Sequence, residues 1–154
     1  NYWNRGIRQL PAVLVNNYQD NEDANGQATR IVNDLVAANF TNCIFDGNSN
    51  IEFVLDKAEG SAFNYSVVNS MLTFNDSNAS FADNAELDFT NPNYQNNLLN
   101  GVLNFRNPQE NDFIIGQNSD AIGKASSTIF NTDILGIDRT TNPDIGAYQH
   151  IIFE

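Results

Sequence analysis

One phrase recurs along this chain: a short apolar run, an asparagine, and another short apolar run. It reads Val13-Leu14-Val15-Asn16-Asn17-Tyr18, then Phe40-Thr41-Asn42-Cys43-Ile44-Phe45, then Val67-Val68-Asn69-Ser70-Met71-Leu72. Asn16, Asn42 and Asn69 are 26 and 27 residues apart, a period at which repeat architectures are built. Runs this short suit strands better than helices. Asn tolerates left-handed backbone and so turns a chain sharply. In stacked turns its amide also bonds the amides above and below. The phrase therefore predicts an all-β coil of short parallel strands, with Asn16, Asn42 and Asn69 forming a structural ladder at its corners.

The 154 residues fit one domain with a core of its own. Polarity comes from amides more than from charge, since Asn supplies roughly one residue in six. The net charge of −12 and pI near 4.1 oppose binding to nucleic acid or to an anionic membrane. They suit an extracellular setting, divalent cations or neutral glycans. Cys43, the single cysteine, excludes an internal disulfide and reads as a buried, inert thiol. No apolar stretch is long enough to span a membrane. The chain opens on Asn1-Tyr2-Trp3, without an initiator Met, and is expected to be the C-terminal part of a longer polypeptide.

Along the chain, Ala12 to Val15 reads as a buried strand and residues 19 to 28 as an acidic loop. Thr29 to Phe40 reads as strand, turn, strand, because its β-branched residues outweigh a weak helical period. Ile51 to Leu55 and Phe63 to Phe74 continue the strands. Residues 1–104 are thus expected to form coils. Beyond them the apolar pieces shorten, as in a region that covers an open end, and 105–154 is read as a closing cap.

That last third carries Phe105-Arg106-Asn107-Pro108, Asp112-Phe113-Ile114-Ile115 and Asn118-Ser119-Asp120-Ala121-Ile122-Gly123. It goes on to Asp133-Ile134-Leu135-Gly136-Ile137-Asp138-Arg139 and Pro143-Asp144-Ile145-Gly146-Ala147-Tyr148. The pattern resembles the closing segment of secreted bacterial right-handed parallel β-helix proteins, which are pectate-lyase-like in architecture. Asp120 stands where that pattern usually has Pro, and Gln149 where it has Glu. The resemblance implies a right-handed parallel β-helix and a bacterial cell-surface or extracellular location. It does not imply a reaction, since the family spans lyases, hydrolases and adhesins. The motif residues Asp133, Gly136, Arg139, Asp144, Gly146 and Tyr148 are expected to be structural. Arg139 would pair with Asp133 or Asp144, and Tyr148 would cover the last apolar layer.

Several residue sets suggest chemistry. Glu22 with Asp23, Asp83 with Glu86, and Asp133 with Asp138 are conceivable acid/base couples, but no catalytic motif surrounds them. Asn21 to Gly26 partly matches the start of a Ca²⁺ loop, although its twelfth position is Val32. Asp20, Asp23 and Asn25 are the ligands expected if Ca²⁺ binds. Trp3, Tyr18, Tyr65 and Tyr94 are the aromatics expected to stack on sugar rings. His150, the only histidine, reads as a capping residue.

The reading that follows is a non-catalytic glycan-binding or structural module at the cell surface. Its partners would be upstream coils of the same polypeptide, and polysaccharide or other surface proteins. Two alternatives are the C-terminal part of a polysaccharide lyase or glycoside hydrolase with its catalytic coils upstream, and a subunit of a larger surface assembly.

Overall fold

The computed structural model describes residues 10–153 of the chain. They form short strands joined by turns: β1 (Val13–Asn16), β2 (Tyr18–Glu22), β3 (Ala28–Val32), β4 (Leu35–Thr41), β5 (Ile44–Phe45) and β6 (Phe53–Asp56). There follow β7 (Phe63–Val68), β8 (Met71–Leu72), β9 (Tyr94–Gln95), β10 (Leu98–Leu99), β11 (Phe105–Asn107) and β12 (Asp112–Ile115). Helix is confined to single 3-10 turns at Ala85–Leu87 and Pro108–Glu110.

Parallel pairing joins β1 to β6, β4 to β7 to β9, and β5 to β8 to β10. The sequence period reappears as register: Ile44 lies opposite Met71, Met71 opposite Leu98, and Val67 opposite Tyr94.

The right-handed parallel β-helix expected from the sequence is nevertheless not what the described residues form. The sheets hold two or three strands, and none closes. Two are antiparallel hairpins, β2 with β3 and β11 with β12. The apolar runs are too short to sustain stacked turns, several giving strands of two residues. The stretches between them satisfy their backbone groups locally, by hairpin and turn. Residues 19 to 28, read as a loop, belong largely to the first hairpin.

The asparagine ladder is also corrected. Asn42 and Asn69 adopt positive φ, at 56° and 48°, and so does Asn96 at 53°. Asn16 does not join them. It ends β1, opposite Asp56. The amides of Asn42 and Asn69 do not bond each other either. Asn42 Nδ2 donates to the carbonyl of Ser126 at 3.1 Å, and Asn69 Nδ2 to that of Lys124 at 2.9 Å. Ser126 N–H returns a bond to Asn42 Oδ1 at 2.9 Å. The corners thus tie down the C-terminal segment.

Two cores result. The first gathers Phe45, Phe53, Val54, Leu55, Tyr65, Val67, Leu72, Leu87 and Tyr94. Phe53, Val54 and Leu55 are buried in succession, as happens where a strand is covered on both faces. Aromatic rings meet there at angles: Phe40 stands edge-on to Phe53 at 5.6 Å, and Tyr65 to Tyr94 at 5.6 Å. The second core holds Met71, Ile115, Ala121 and Ile145, with Ile44 and Leu98 against it. Successive strand residues face opposite ways, so β8 sends Leu72 into the first core and Met71 into the second.

Candidate functional site

Several concavities open on the described surface. The first is a basin of about 620 Å³ around the turns that follow β8. Phe74, Phe81 and Phe89 line it, with Asp76, Asp83 and Asp88 beside them. The three rings are half-buried. Phe74 meets Phe89 at 4.9 Å, nearly edge-on, and Phe81 at 6.2 Å.

The local sequence explains why the basin holds its shape. Asp76 accepts from the N–H groups of Ser80 at 2.8 Å and Phe81 at 2.7 Å, which closes that turn and fixes Phe81. Asn84 caps the 3-10 turn by accepting from Glu86 N–H at 3.0 Å and donates to the Leu55 carbonyl at 2.9 Å. Asp88 accepts from the Thr90 hydroxyl at 2.7 Å and N–H at 2.9 Å, and these bonds hold its carboxyl below the usual range. Beyond Asp83, a smaller polar hollow contains Asp56, Lys57, Glu59 and Glu86. Lys57 sits 3.4 Å from both Glu59 and Glu86, which raise its pKa, Glu59 the more strongly.

The second concavity is a cleft of about 660 Å³ beside β5, lined by residues 42–46 and by Phe105, Phe113, Gly146, Ala147 and Tyr148. Phe105 and Phe113 stand edge-on at 5.4 Å. Among the described residues Asp46 is the only acidic side chain in its lining. Thr73 Oγ1 donates to that carboxylate, while burial pushes its pKa up. Cys43, also in the wall, has its thiol pKa raised by burial.

Of the aromatics singled out from the sequence, Tyr65 and Tyr94 meet, but inside the core and not at the surface. Trp3 lies outside the described residues. Tyr65 and Tyr94 are core side chains, 5% and 8% exposed, and both hydroxyls donate to the Glu86 carbonyl. Burial raises both their pKa values. They therefore cannot stack on a sugar at the surface. Tyr18 donates its hydroxyl to Asp56, and its ring lies under the Arg30 guanidinium at 3.8 Å. The bond to Asp56 raises its pKa.

The expected Ca²⁺ ligands are engaged separately. Asp20 takes two bonds from Arg30, at 2.6 and 2.8 Å, which lower its pKa. Asp23 Oδ1 accepts from the N–H groups of Gln27 and Asn25, which lower its pKa and shape the hairpin turn. Among the described residues no group of three or more His, Cys, Asp or Glu side chains is placed to hold a metal.

The closing residues make contacts that the sequence did not specify. Asp133 accepts from Leu135, Ile137 and Gln149 N–H groups, each at 2.8 Å. Asp144, fully buried, accepts from Gly123 N–H at 2.8 Å and His150 N–H at 2.7 Å, and lies 2.8 Å from His150 Nδ1. Arg139 pairs with neither carboxylate. Its Nη2 donates to the Asp144 carbonyl, and its Nε is buried without a partner. Both carboxylates are instead engaged mainly by backbone N–H donors. Gly136 supplies the positive φ, 85°, of the turn that Asp133 closes. Tyr148 is half-buried on the cleft wall.

Sequence reasoning passed over Phe74, Phe81 and Phe89. A signal was available: Phe74-Asn75-Asp76 and Phe81-Ala82-Asp83 repeat a Phe-x-Asp pattern. Comparison with family models, with curated proteins and with solved structures finds no match to this chain. Among the described residues no helix is long and apolar enough to cross a membrane.

Proposed function

We propose that this chain is a non-catalytic carbohydrate-binding module acting in an extracellular or cell-surface setting, with the Phe74–Phe81–Phe89 basin as its sugar site. One observation carries the reading: partly exposed aromatic rings stand beside fixed carboxylate and amide groups in one hollow. Aromatic faces cover the apolar side of a sugar ring, and carboxylates accept from its hydroxyls. The strongly acidic chain opposes anionic polymers and leaves neutral glycans as the ligand class. The setting rests on the same charge balance and on the sequence resemblance.

Two of the basin's three acids support binding over turnover. A glycosidase needs one carboxyl with a raised pKa to protonate the leaving group. Asp88 is shifted the opposite way, and Asp76 already holds its own turn.

Titration with neutral hexasaccharides built from glucose, xylose, mannose or N-acetylglucosamine tests this. At least one should shift the ring resonances of Phe74, Phe81 and Phe89 without releasing new reducing ends. Phe81→Ala should weaken that binding tenfold or more. Binding by none of them, or release of reducing or unsaturated ends, overturns the proposal.

A further inference from the structure

The cleft beside β5 is separate from the basin, and its wall is unusual. Five consecutive residues, 42–46, line it. β5 is an edge strand, since its sheet runs β10-β8-β5. The carbonyls of Cys43 and Phe45 face β8, accepting from Met71 and Thr73 N–H groups at 2.8 and 2.9 Å. Backbone groups of successive strand residues point to opposite sides. The N–H and C=O of Ile44 therefore point to the open edge, along the cleft.

The chain itself begins a strand addition there and abandons it. Gly146 N–H donates to the Asn42 carbonyl at 3.0 Å. Gly146 then turns away with φ 104°, and a Cβ at this position would lie 2.7 Å from Ile44 Cδ1. Past that bond the edge has no strand partner among the described residues, and Phe105, Phe113 and Tyr148 flank it with aromatic surface.

We propose that an extended segment of a partner protein adds to the outer edge of β5, bonding Ile44 through its main chain and placing an apolar side chain between Phe113 and Tyr148. Such recognition takes affinity from main-chain bonds and specificity from pockets for alternate side chains. The occupant is apolar with a basic flank. Among the described residues Asp46 is the only acidic side chain lining the cleft and no basic side chain lines it, and the whole chain carries a charge of −12.

The test uses the full chain labelled with ¹⁵N and an acetylated, amidated hexapeptide, Lys-Thr-Phe-Thr-Val-Lys. Two controls accompany it: the same peptide N-methylated at every internal amide, and a version with glutamate at both ends. The expected result is a shift and slowed exchange of the Ile44 amide. N-methylation and Tyr148→Ala should each weaken binding tenfold or more, and Asp46→Asn should abolish the preference for lysine over glutamate ends. An unchanged Ile44 amide overturns the proposal. So does equal binding of the N-methylated peptide, which marks the cleft as an ordinary apolar pocket. Neither result bears on sugar binding at the basin.

Discussion

Phe53, Leu55 and Val67 lie in a core walled by paired strands, whereas Asp133, Asp144 and Gln149 lie in a region walled by turns. Between residues 13 and 100, apolar side chains fill most of the interior and parallel ladders satisfy most of the backbone, with one fully buried carboxylate, Glu52, accepting from the N–H groups of Ala12 and Ser49. Between residues 105 and 153, ladders are few, and buried carboxylates and one glutamine receive the N–H groups that strands would otherwise pair. The contrast shows two solutions to one requirement, that buried backbone polar groups find partners. The first depends mainly on shape and area. The second depends on a few anions, each serving several donors.

The sharpest way to break the comparison is Phe53→Ala. Phe53 is fully buried, and truncation of such a ring costs about 3–5 kcal/mol. Urea denaturation should show that loss, and amide exchange should quicken in both regions, because the second core is built on β8. Retained protection across 105–153 would instead make the C-terminal region an independent unit.

Asp133→Ala probes the other solution. It leaves three N–H donors, those of Leu135, Ile137 and Gln149, without their acceptor. The expected cost is about 3 kcal/mol. Exchange should accelerate first over residues 131–150, with β6 and β7 still protected. Simultaneous loss in both regions would show one cooperative unit despite the differing chemistry.

The smallest effect concerns the hairpin, which shares the carboxylate device on an exposed scale. Bonds from Gln27 and Asn25 N–H groups lower the pKa of Asp23. Its contribution is therefore present above the unfolded value, about 3.9, and fades as pH falls through the lower folded one. Amide shifts of Asn25 and Gln27 should change only at acid pH, and Asp23→Asn should remove that dependence. A change centred near neutrality would exclude Asp23 as its source.

How much of this was legible follows the same division. β1, β6 and β8 were visible as short apolar runs, and the turning role of Asn42 and Asn69 followed from their tolerance of positive φ. β3 was read as a strand, but the first hairpin escaped notice because Tyr18–Glu22 shows no clean apolar alternation and is mostly exposed. Its stability draws on cross-strand pairs such as Asp20 with Arg30, which are not adjacent in sequence. The tyrosines were misassigned for a related reason. A buried Tyr needs one acceptor, and the Glu86 carbonyl that serves both rings cannot be seen without the fold. The basin and the cleft arise from turns whose meeting depends on those same long-range contacts.

The asparagine corners also set how the molecule ages. Two asparagines precede glycine, Asn25 and Asn100, the dipeptide in which a flexible backbone nitrogen most readily attacks the neighbouring amide and expels ammonia. Asn100 is clamped by Phe74, whose N–H and C=O engage both ends of its amide at 2.9 and 2.8 Å. Asn25 sits exposed at a hairpin tip. Chemical wear should therefore start at the tip, adding a negative charge there long before it reaches the body.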